Sequence, residues 1–439
     1  MTDGPLKPTL GLTSEPREHF SVIGDRLIHE VPIGTGVRSS IKAVAGSASD
    51  PKGAWWRRYL EQGAPSRGTR GPAVLRTIDL FCGPGGLANG VEQLCAELEI
   101  GVTTELVVDQ DEEATAIYTA NHAARRRRTE SVSQLIDFGL RETTAGTEFS
   151  FPPEFIDSEM AGLVGAVDMV LAGPPCQGHS NLNNHTRRED PRNGLYLTVP
   201  AIAVAVQAPT CIVENVPAVL NDFAGVVRKA QQLFEGAGYE VTTGMLAADA
   251  MGWPQRRTRH FMIARRGLSP IPLQVVRGML SDTRARSIWW AIGDLEDAST
   301  DLLIDQQTEL SDENRDRVGW LFDNDEHDLA LPERPKSHRN GTSYTAVYGR
   351  LKKDEPSPTI TTGFMSPGRG RYVHPTRRRV LTAHEAARLQ GFPDTYEWVP
   401  DPVNPPSRSK LAKWIGDAVP MPLGYAAALS ALGAGLPNG

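Results

Sequence analysis

The stretch Val74-Leu-Arg-Thr-Ile-Asp-Leu-Phe-Cys-Gly-Pro-Gly-Gly86 predicts how this chain folds. Its first eight residues are largely apolar, which is typical of a buried strand, and the glycines that follow predict a tight turn. From Leu87 onward apolar residues recur at helical spacing. The turn also fits, loosely, a nucleotide-binding loop with Asp109 as the ribose-binding acid. A glycine turn required only by packing remains the alternative.

Five further strands are predicted along the chain, at Glu105–Val108, Val167–Leu171, Thr210–Val213, Tyr239–Thr243 and His260–Ala264. They alternate with helical patterns, and that alternation is typical of an α/β fold with a parallel sheet covered by helices on both faces. We therefore predict a doubly covered, Rossmann-like sheet.

Four segments differ in their patterns, and we predict domain boundaries from them. Residues 1–73 are rich in Gly, Pro and Ser and are predicted to be an irregular extension, whereas residues 74–267 carry the α/β pattern. Residues 268–375 are loop-rich and predict a smaller domain, and residues 376–439 regain regular patterns that complete the first domain.

Composition restricts the class of protein. The chain has 439 residues, 40% of them hydrophobic and 23% charged, which is typical of soluble globular proteins. Its four cysteines form neither a metal-type pattern nor a disulfide framework, and they favour a reducing compartment. The N-terminus lacks a secretory pattern, so we expect a cytoplasmic protein. The net charge of −7 argues weakly against a nucleic-acid partner, although a basic groove on an acidic body is compatible with it.

One dense spot interrupts the extension, Trp55-Trp-Arg-Arg-Tyr-Leu60. Paired tryptophans beside arginines are able to stack on bases or bind phosphate. They are also suited to anchor the extension on the main body, and we favour this interpretation.

A single cysteine stands out in Leu171-Ala-Gly-Pro-Pro-Cys-Gln-Gly-His-Ser180. The two prolines hold Cys176 in a stiff loop at a strand's end, where open α/β sheets bind ligands. A buried, unreactive cysteine is the alternative for this loop taken alone.

Two carboxylates are predicted at the same sheet edge. Glu214 ends the predicted strand at 210–213 and should emerge beside Cys176, where burial is costly unless the acid is protonated or finds a donor. Asp79 precedes the glycine turn and suits a ligand that carries an ammonium group, whereas it would repel a pyrophosphate. A salt bridge is the alternative role for Glu214.

Together these residues resemble the DNA cytosine-5 methyltransferase family over about residues 75 to 432. The resemblance is carried, in the family's order, by Asp79-Leu-Phe-Cys-Gly-Pro-Gly-Gly86, Gly173-Pro-Pro-Cys-Gln177, Glu214-Asn-Val216, Gln255-Arg-Arg-Thr-Arg259, Arg388-Leu-Gln-Gly-Phe-Pro393 and Gly416-Asp-Ala-Val419. It implies an S-adenosylmethionine-dependent methyltransferase sheet with a smaller target-recognition domain. It also implies methylation of cytosine C5 in a specific sequence of duplex DNA.

The resemblance assigns four catalytic residues. Cys176 is the thiolate that adds to cytosine C6, and Glu214 acts as an acid at N3. Arg257 and Arg259 hold the pyrimidine edge and the flanking phosphate. The target base must be flipped out of the duplex, because this chemistry cannot reach a stacked base.

The resemblance also assigns the binding of the cofactor S-adenosylmethionine. Phe81 stacks on adenine, Gly83 and Gly85 admit the methionine backbone, Asp109 holds the ribose, and Asp137 takes the adenine amino group. The full set assigned to the cofactor is Asp79, Phe81, Gly83, Gly85, Gly86, Asp109, Gln110, Asp137, Phe138, Pro174, Leu195, Asp417 and Val419.

Contacts to double-stranded DNA are predicted from the smaller domain and the motif loops. Five arginines between Arg369 and Arg379 form a local basic stripe that counters the negative net charge. The residues assigned to DNA are Gln177, Ser180, Gln255, Thr359, Thr361, Arg369 and Arg371. No metal site is predicted. The resemblance further implies a monomer in a restriction-modification or phage-defence system, with a nuclease or other defence protein as partner.

Three positions depart from the family's pattern. Gln110 stands where a larger apolar side chain stacks on adenine, and His179 follows the cysteine loop. Asp417 replaces an asparagine, and an acid there cannot donate an amide hydrogen bond.

Three alternatives stay open on the sequence alone. The same chemistry on tRNA keeps every catalytic residue, and a catalytically silent DNA-binding regulator would keep the fold. A nicotinamide oxidoreductase would use the glycine turn for a dinucleotide instead.

Overall fold

The structure is a computed structural model that describes residues 16–43, 49–63, 73–175, 191–298, 300–339 and 347–435. The predicted nucleophile Cys176 and the predicted DNA contacts Gln177 and Ser180 lie outside the described residues, as does His179.

An N-terminal module, defined here as residues 16–43 and 49–63, precedes the main sheet. Three strands, β1 (His19–Ile23), β2 (Arg26–Ile33) and β3 (Gly36–Ala43), form an antiparallel sheet in the order β1-β2-β3, and helix α1 (Pro51–Gln62) follows. The prediction of an irregular extension is wrong for these residues. It failed because short strands joined by glycine turns lack the long periodicity that reveals larger elements.

Helix α1 anchors this module to the main body. Trp55, Trp56, Tyr59 and Leu60 are buried in one hydrophobic core with residues of the last helix of the chain. The interpretation of the tryptophan pair as an apolar anchor is therefore confirmed. The alternative of base stacking is wrong, since neither indole is open to a ligand.

Eleven further strands lie in the described part of the chain: β4 (Val74–Leu80), β5 (Gly101–Val108), β6 (Arg127–Arg128), β7 (Ile136–Asp137), β8 (Leu140–Thr143), β9 (Gly146–Phe149), β10 (Glu154–Phe155), β11 (Met169–Ala172), β12 (Thr210–Asn215), β13 (Glu240–Ala247) and β14 (Thr258–Arg265). Seven of them form the main sheet in the order β13-β14-β12-β11-β4-β5-β6. The pairs β7 with β10 and β8 with β9 form two small antiparallel sheets.

The main sheet is parallel from β12 to β6, but β14 runs antiparallel to both of its neighbours. The prediction of an all-parallel sheet is therefore wrong at this edge. The chain passes from β13 into β14 through a short connection instead of a crossover helix, and such a connection reverses the strand.

Twelve more α-helices follow in the described residues: α2 (Gly86–Glu97), α3 (Glu112–Asn121), α4 (Ser158–Ala161), α5 (Thr198–Ala205), α6 (Val226–Gly236), α7 (Leu273–Leu280), α8 (Ile288–Ile292), α9 (Asp312–Asp323), α10 (Lys336–Arg339), α11 (Ala383–Gln390), α12 (Arg408–Asp417) and α13 (Met421–Leu432). Helices α2, α7 and α13 contribute to a core on one face of the sheet, and α5 and α6 to a core on the other. The predicted α/β class with helices on both faces is confirmed.

The smaller domain begins later than predicted. Helix α7 lies inside the predicted 268–375 domain, yet Leu273 and Val276 are buried in the same core as α13. A separate small core is formed farther along the chain, by Leu310, Val318, Leu321, Leu329, Val347, Tyr348, Val373 and Val380. By packing, residues 273–280 belong to the sheet domain, and the smaller domain has its own core only from about residue 310.

Candidate active site

The carboxyl ends of β4, β5, β11 and β12 open into a cavity of about 1230 Å³. Fifteen of the predicted site residues line it: Asp79, Phe81, Gly83, Gly86, Asp109, Gln110, Pro174, Leu195, Glu214, Arg257, Arg259, Thr359, Thr361, Asp417 and Val419. They come from both ends of the main domain and from the loop before the C-terminal helices. The fold therefore brings together residues that lie more than 300 positions apart in sequence.

The glycine turn forms one wall of this cavity. Phe81 has a φ of +56° and Gly83 a φ of +50°, so the backbone turns sharply as it leaves β4. A side chain at Gly83 would meet nothing within 4 Å, which means that this backbone faces open space. The Gly83 amide donates to Asp109 at 2.9 Å, and Asp109 also accepts from the Asp111 amide at 2.9 Å. Asp109 therefore ties the ends of β4 and β5 together at the cavity.

Two features of this wall fit S-adenosylmethionine. Asp79 is buried, and its Oδ2 atom has no hydrogen-bond partner within the described ranges. Burial raises the pKa of Asp79 well above its usual value, and the nearby carboxylates of Asp109 and Glu92 raise it further. A ligand ammonium group would relieve this cost, because an adjacent cation favours the ionised acid. The open space over Gly83 leaves room for the ligand's backbone.

Glu214 lies at the end of β12 and is buried. Its Oε1 atom is 3.0 Å from Arg259 Nε, and a side chain at Gly173 would come within 3.8 Å of its Oε2 atom. Burial raises the pKa of the Glu214 carboxyl, although Arg259 and Arg257 lower it in part. The acid is thus biased toward its protonated form next to the loop that leads to Cys176.

Asn215 is a site residue that the sequence did not single out. Its side-chain amide donates to the Pro174 carbonyl at 3.2 Å and is buried. This bond fixes the start of the cysteine loop to the end of β12. The sequence signal was the position of Asn215 directly after Glu214 at a strand's end, where adjacent side chains point to opposite sides.

Gln255 and Arg257 are buried side chains that bond to other parts of the protein. Gln255 is fully buried, donates to Leu389 O at 2.9 Å and accepts from the Ile360 amide at 3.1 Å. The prediction that Gln255 contacts DNA is therefore wrong. Arg257 lines the cavity, but it is also buried and donates to the carbonyls of Ile360 and Gly416.

The prediction for the adenine end is not supported by the structure. Asp137 is exposed, Phe138 packs against Phe149, and neither lines the cavity. Ser131 and Val132 line it in their place, just after the short strand β6. The error arose because a two-residue edge strand has no recognisable pattern, so the loop at its carboxyl end was placed several residues too late.

Gly85 also differs from its neighbours in the turn. A side chain there would lie 2.3 Å from His122 Nε2, on the packed side of the turn. Gly85 is therefore required for close packing behind the cavity. The prediction that it admits the methionine backbone of the cofactor is not supported, because Gly85 does not line the cavity.

Arg369 and Arg371, two predicted DNA contacts in the smaller domain, differ in their surroundings. Arg369 is exposed, as a phosphate or base contact requires. Arg371 donates to the carbonyls of His327 and Arg350 and to the Asp328 carboxylate. These bonds hold Arg371 within the smaller domain, and its contact with DNA stays a prediction.

Helix α12 supplies cavity residues that were missed. Trp414 donates to Asp111 at 2.8 Å, and Lys413 forms a 2.9 Å ion pair with Asp417. Burial lowers the pKa of Lys413, but Asp417, Asp111 and Asp109 together raise it more. The acid at position 417 is therefore matched by a cation one helical turn earlier in α12.

Comparison with known proteins identifies the family. A family model described as C-5 cytosine-specific DNA methylase matches residues 75–431. The chain belongs to this family. It is a DNA cytosine-5 methyltransferase, and S-adenosylmethionine is the methyl donor. The predictions of enzyme class and cofactor are confirmed.

The relatives of this methyltransferase include type II bacterial enzymes. It is 34% identical over 433 residues to "Type II methyltransferase M1.BsuMI" of Bacillus subtilis (strain 168), a match that covers 97% of each chain and so includes the N-terminal module. It is 25% identical over 451 residues to "Type II methyltransferase M.AgeI" of Thalassovita gelatinovora, over 81% of this chain and 98% of the relative. The S. pombe Dnmt2 methyltransferase structure has the same fold, with a TM-score of 0.54 and 17% identity over 81% of this chain and 98% of that one.

Two features are absent from the described residues. They contain no group of three or more His, Cys, Asp or Glu side chains placed to hold a metal ion. None of their helices combines the length and apolar character needed to cross a membrane.

Proposed function

We propose that this methyltransferase modifies a specific sequence of duplex DNA through a covalent adduct between Cys176 and cytosine C6. The observation that carries the proposal is the buried Glu214 carboxyl beside Arg259, next to the strand end that leads to the cysteine loop. An acid with a raised pKa at that position is suited to donate a proton to a ring nitrogen.

The residues then share the chemistry as follows. The Cys176 thiolate adds to C6 while Glu214 gives its proton to N3, which turns the ring into an enamine with a nucleophilic C5. Arg259 holds Glu214 in place and contacts the pyrimidine edge. S-adenosylmethionine, when bound in the cavity, supplies the methyl group. The C5 proton then leaves to water, the Cys176–C6 bond breaks, and Glu214 recovers its proton from N3.

We assign cofactor binding to residues that line the cavity. Phe81, Gly83 and Asp109 on the glycine-turn side would contact adenosine and methionine groups, and Asp79 would face the ammonium group. Support comes from the unpartnered Asp79 oxygen and the open space at Gly83. Ser131 and Val132 take the adenine end in place of Asp137 and Phe138, because they line the cavity.

We assign target recognition to the smaller domain, with Thr359, Thr361 and the exposed Arg369 toward DNA. The type II relatives favour a restriction-modification setting. A cognate nuclease as partner and a cytoplasmic monomer as the working form are further parts of the proposal.

The test is methylation of DNA by the purified protein, with radiolabelled S-adenosylmethionine and bisulfite sequencing of the product. We expect 5-methylcytosine at one short sequence, no transfer to tRNA, and loss of transfer in Cys176→Ala. Transfer to tRNA alone would contradict the DNA assignment. Full activity of Cys176→Ala would show that the nucleophile is misassigned.

A further inference from the structure

We propose that the N-terminal module is a positioning element for the cofactor side of the cavity, acting through residues 388–396. This inference rests on the placement of S-adenosylmethionine in the cavity described above. It gives the module a role in cofactor affinity, in addition to its packing on the main body.

Helix α1 contacts residues 388–396 through two buried neighbours. The Tyr59 hydroxyl donates to the Gly391 carbonyl at 3.0 Å, and the Asp394 amide donates to the Leu60 carbonyl at 2.7 Å. Tyr59 and Leu60 are fully buried. Gly391 ends helix α11 with a φ of +86°, so these bonds hold the chain where it leaves that helix in a left-handed conformation.

An ion-pair chain supports the same contact. Arg57 of α1 lies 2.6 Å from Asp294, which lies 2.7 Å from Arg388. Arg388 in turn lies 2.6 Å from Asp394. The module is therefore joined to both ends of this turn by charged groups, of which Arg388 is almost fully buried.

The opposite side of residues 388–396 holds the cavity walls. The Tyr396 hydroxyl donates to the Pro84 carbonyl in the glycine turn and lies 3.0 Å from His122 Nε2. The Gln390 amide donates to Ile415 O at 2.5 Å and to Ala418 O at 3.3 Å. Pro84 and Ala418 both line the cavity, and a side chain at Gly86 in the glycine turn would lie 3.1 Å from Ala418 Cβ.

A displacement of this segment would therefore change both walls together. Hydrogen bonds join α1 to Gly391 and Asp394, and other hydrogen bonds join Tyr396 and Gln390 to residues that line or support the cavity. The backbone of residues 388–396 connects the two sets. A loosened segment should weaken the binding of S-adenosylmethionine. The segment also holds Gln255, whose amide donates to Leu389 O at 2.9 Å and to Gln390 Oε1 at 3.0 Å. Tyr59 and Tyr396 bond instead to the Gly391 and Pro84 carbonyls, so loss of their hydroxyls should act mainly on the cofactor side.

The experiment uses the full-length protein and the variants Tyr59→Phe and Tyr396→Phe. Tyr425→Phe is the matched control, because Tyr425 lies in the same core as Tyr59 and its buried hydroxyl donates to Glu97, away from the cavity. Each change removes one buried hydroxyl, so Tyr59→Phe and Tyr425→Phe should lower the melting temperature to a similar extent.

Calorimetry with S-adenosylmethionine then separates positioning from stability. We expect the dissociation constant to rise about 3- to 10-fold in Tyr59→Phe and Tyr396→Phe, the cost of about one hydrogen bond, with no change in Tyr425→Phe. The kcat at saturating cofactor should stay within about 2-fold of wild type.

Equal cofactor affinity in Tyr59→Phe and Tyr425→Phe would overturn the inference. If Tyr59→Phe is not recovered folded, Arg57→Gln decides in its place, with a rise of about 2- to 3-fold expected and no rise contradicting the proposal. The readout is cofactor binding, so a protein that binds S-adenosylmethionine but methylates no DNA would contradict the proposed function alone.

Discussion

A glutamate is buried in each of two regions of this molecule, and its pKa is shifted in opposite directions there. At the cavity, Glu214 has Arg259 as a charged partner, and burial raises its pKa. Where the N-terminal module docks, Glu97 accepts from Trp55, Gln93 and Tyr425 and lies 3.1 Å from His29. Burial raises the pKa of Glu97, but His29, Tyr425 and Lys42 lower it more, to a value below normal.

We interpret the difference as that between a proposed proton donor, Glu214, and a structural acid, Glu97. A buried carboxyl with several donors is held ionised and stabilises the packing around it. A buried carboxyl with too few donors keeps a proton available for a ligand. Substitutions at the two sites should therefore affect different properties, catalysis at one and folding at the other.

The largest expected effect is on catalysis, in Glu214→Gln. We expect the methylation rate to fall by about 100- to 10,000-fold, since glutamine cannot transfer a proton to N3. The melting temperature should stay within about 2 °C of wild type, because the amide still accepts from Arg259. Single-turnover methylation and thermal unfolding measure the two properties, with Glu240→Gln on the exposed end of β13 as the control.

The pH dependence of the methylation rate gives a second test of the role of Glu214. An acid whose pKa is raised remains protonated to higher pH, so the wild-type rate should fall as pH rises through that value. This limb should be absent in Glu214→Gln. An unchanged profile would show that another group supplies the proton.

The next effect is on folding, in Glu97→Ala. Removal of this carboxylate leaves the buried His29 with Glu18 alone and takes a neighbouring negative charge from Lys42, at a cost of about 3 to 5 kcal/mol in the free energy of unfolding. Urea unfolding measures it, and Glu99→Gln, at an exposed position just after α2, is the control. A loss below about 1 kcal/mol would remove the contrast between the two glutamates.

The buried His29 should make the stability of the site where the N-terminal module docks depend on pH. Burial lowers the pKa of His29, but Glu97 and Glu18 raise it more, to about 9. A raised histidine pKa adds stability that is fully present below the unfolded value of about 6.5 and is lost as pH rises through 9, on the order of 3 kcal/mol. Unfolding curves between pH 6 and 10 test this, and His29→Gln should flatten the dependence.

The smallest expected effect is on cofactor binding, when the ion pair between Lys413 and Asp417 is broken. Lys413→Ala should weaken binding of S-adenosylmethionine by about 3- to 10-fold, because Asp417 is left as an uncompensated charge in the cavity wall. The double variant Lys413→Ala/Asp417→Asn should recover most of it.

Stability should hardly change in this pair, since an exposed ion pair at this spacing contributes about 0.3 to 0.5 kcal/mol. Lys229→Ala, which breaks another surface pair on the same sheet domain, is the control for calorimetry. Failure of the double variant to recover affinity would mean that Lys413 contacts the cofactor directly.

Local patterns were sufficient for the long elements. The apolar run before the glycine turn predicted β4, and helical spacing predicted α2, because both elements bury most of their length in a core. The capping box formed by Thr382 and Glu385 at the start of α11 is a signal of the same local kind. These signals are contained in a few neighbouring residues.

Other assignments failed because they depend on distant parts of the chain. Asp137 was a plausible adenine contact, but the two-residue strand β6 ends earlier and brings Ser131 to the cavity instead. Gln255 was a plausible DNA contact, yet it is buried against Leu389 and Ile360. Nothing in the neighbouring sequence shows whether a polar residue of a motif bonds to a ligand or to the protein backbone.

The amino-acid sequence by itself determined the residue types and their order, and with them the α/β class, the kind of chemistry and the family, because strand and helix periodicity and motif spacing are local properties. Only the tertiary structure decided which of those residues meet. The bond of Trp414 to Asp111, the turn of Arg257 toward backbone carbonyls and the docking of α1 behind Gly391 are set by packing between elements far apart in the chain. Burial and the number of donors around each acid follow from that packing, and they separate the reactive carboxyl from the structural one.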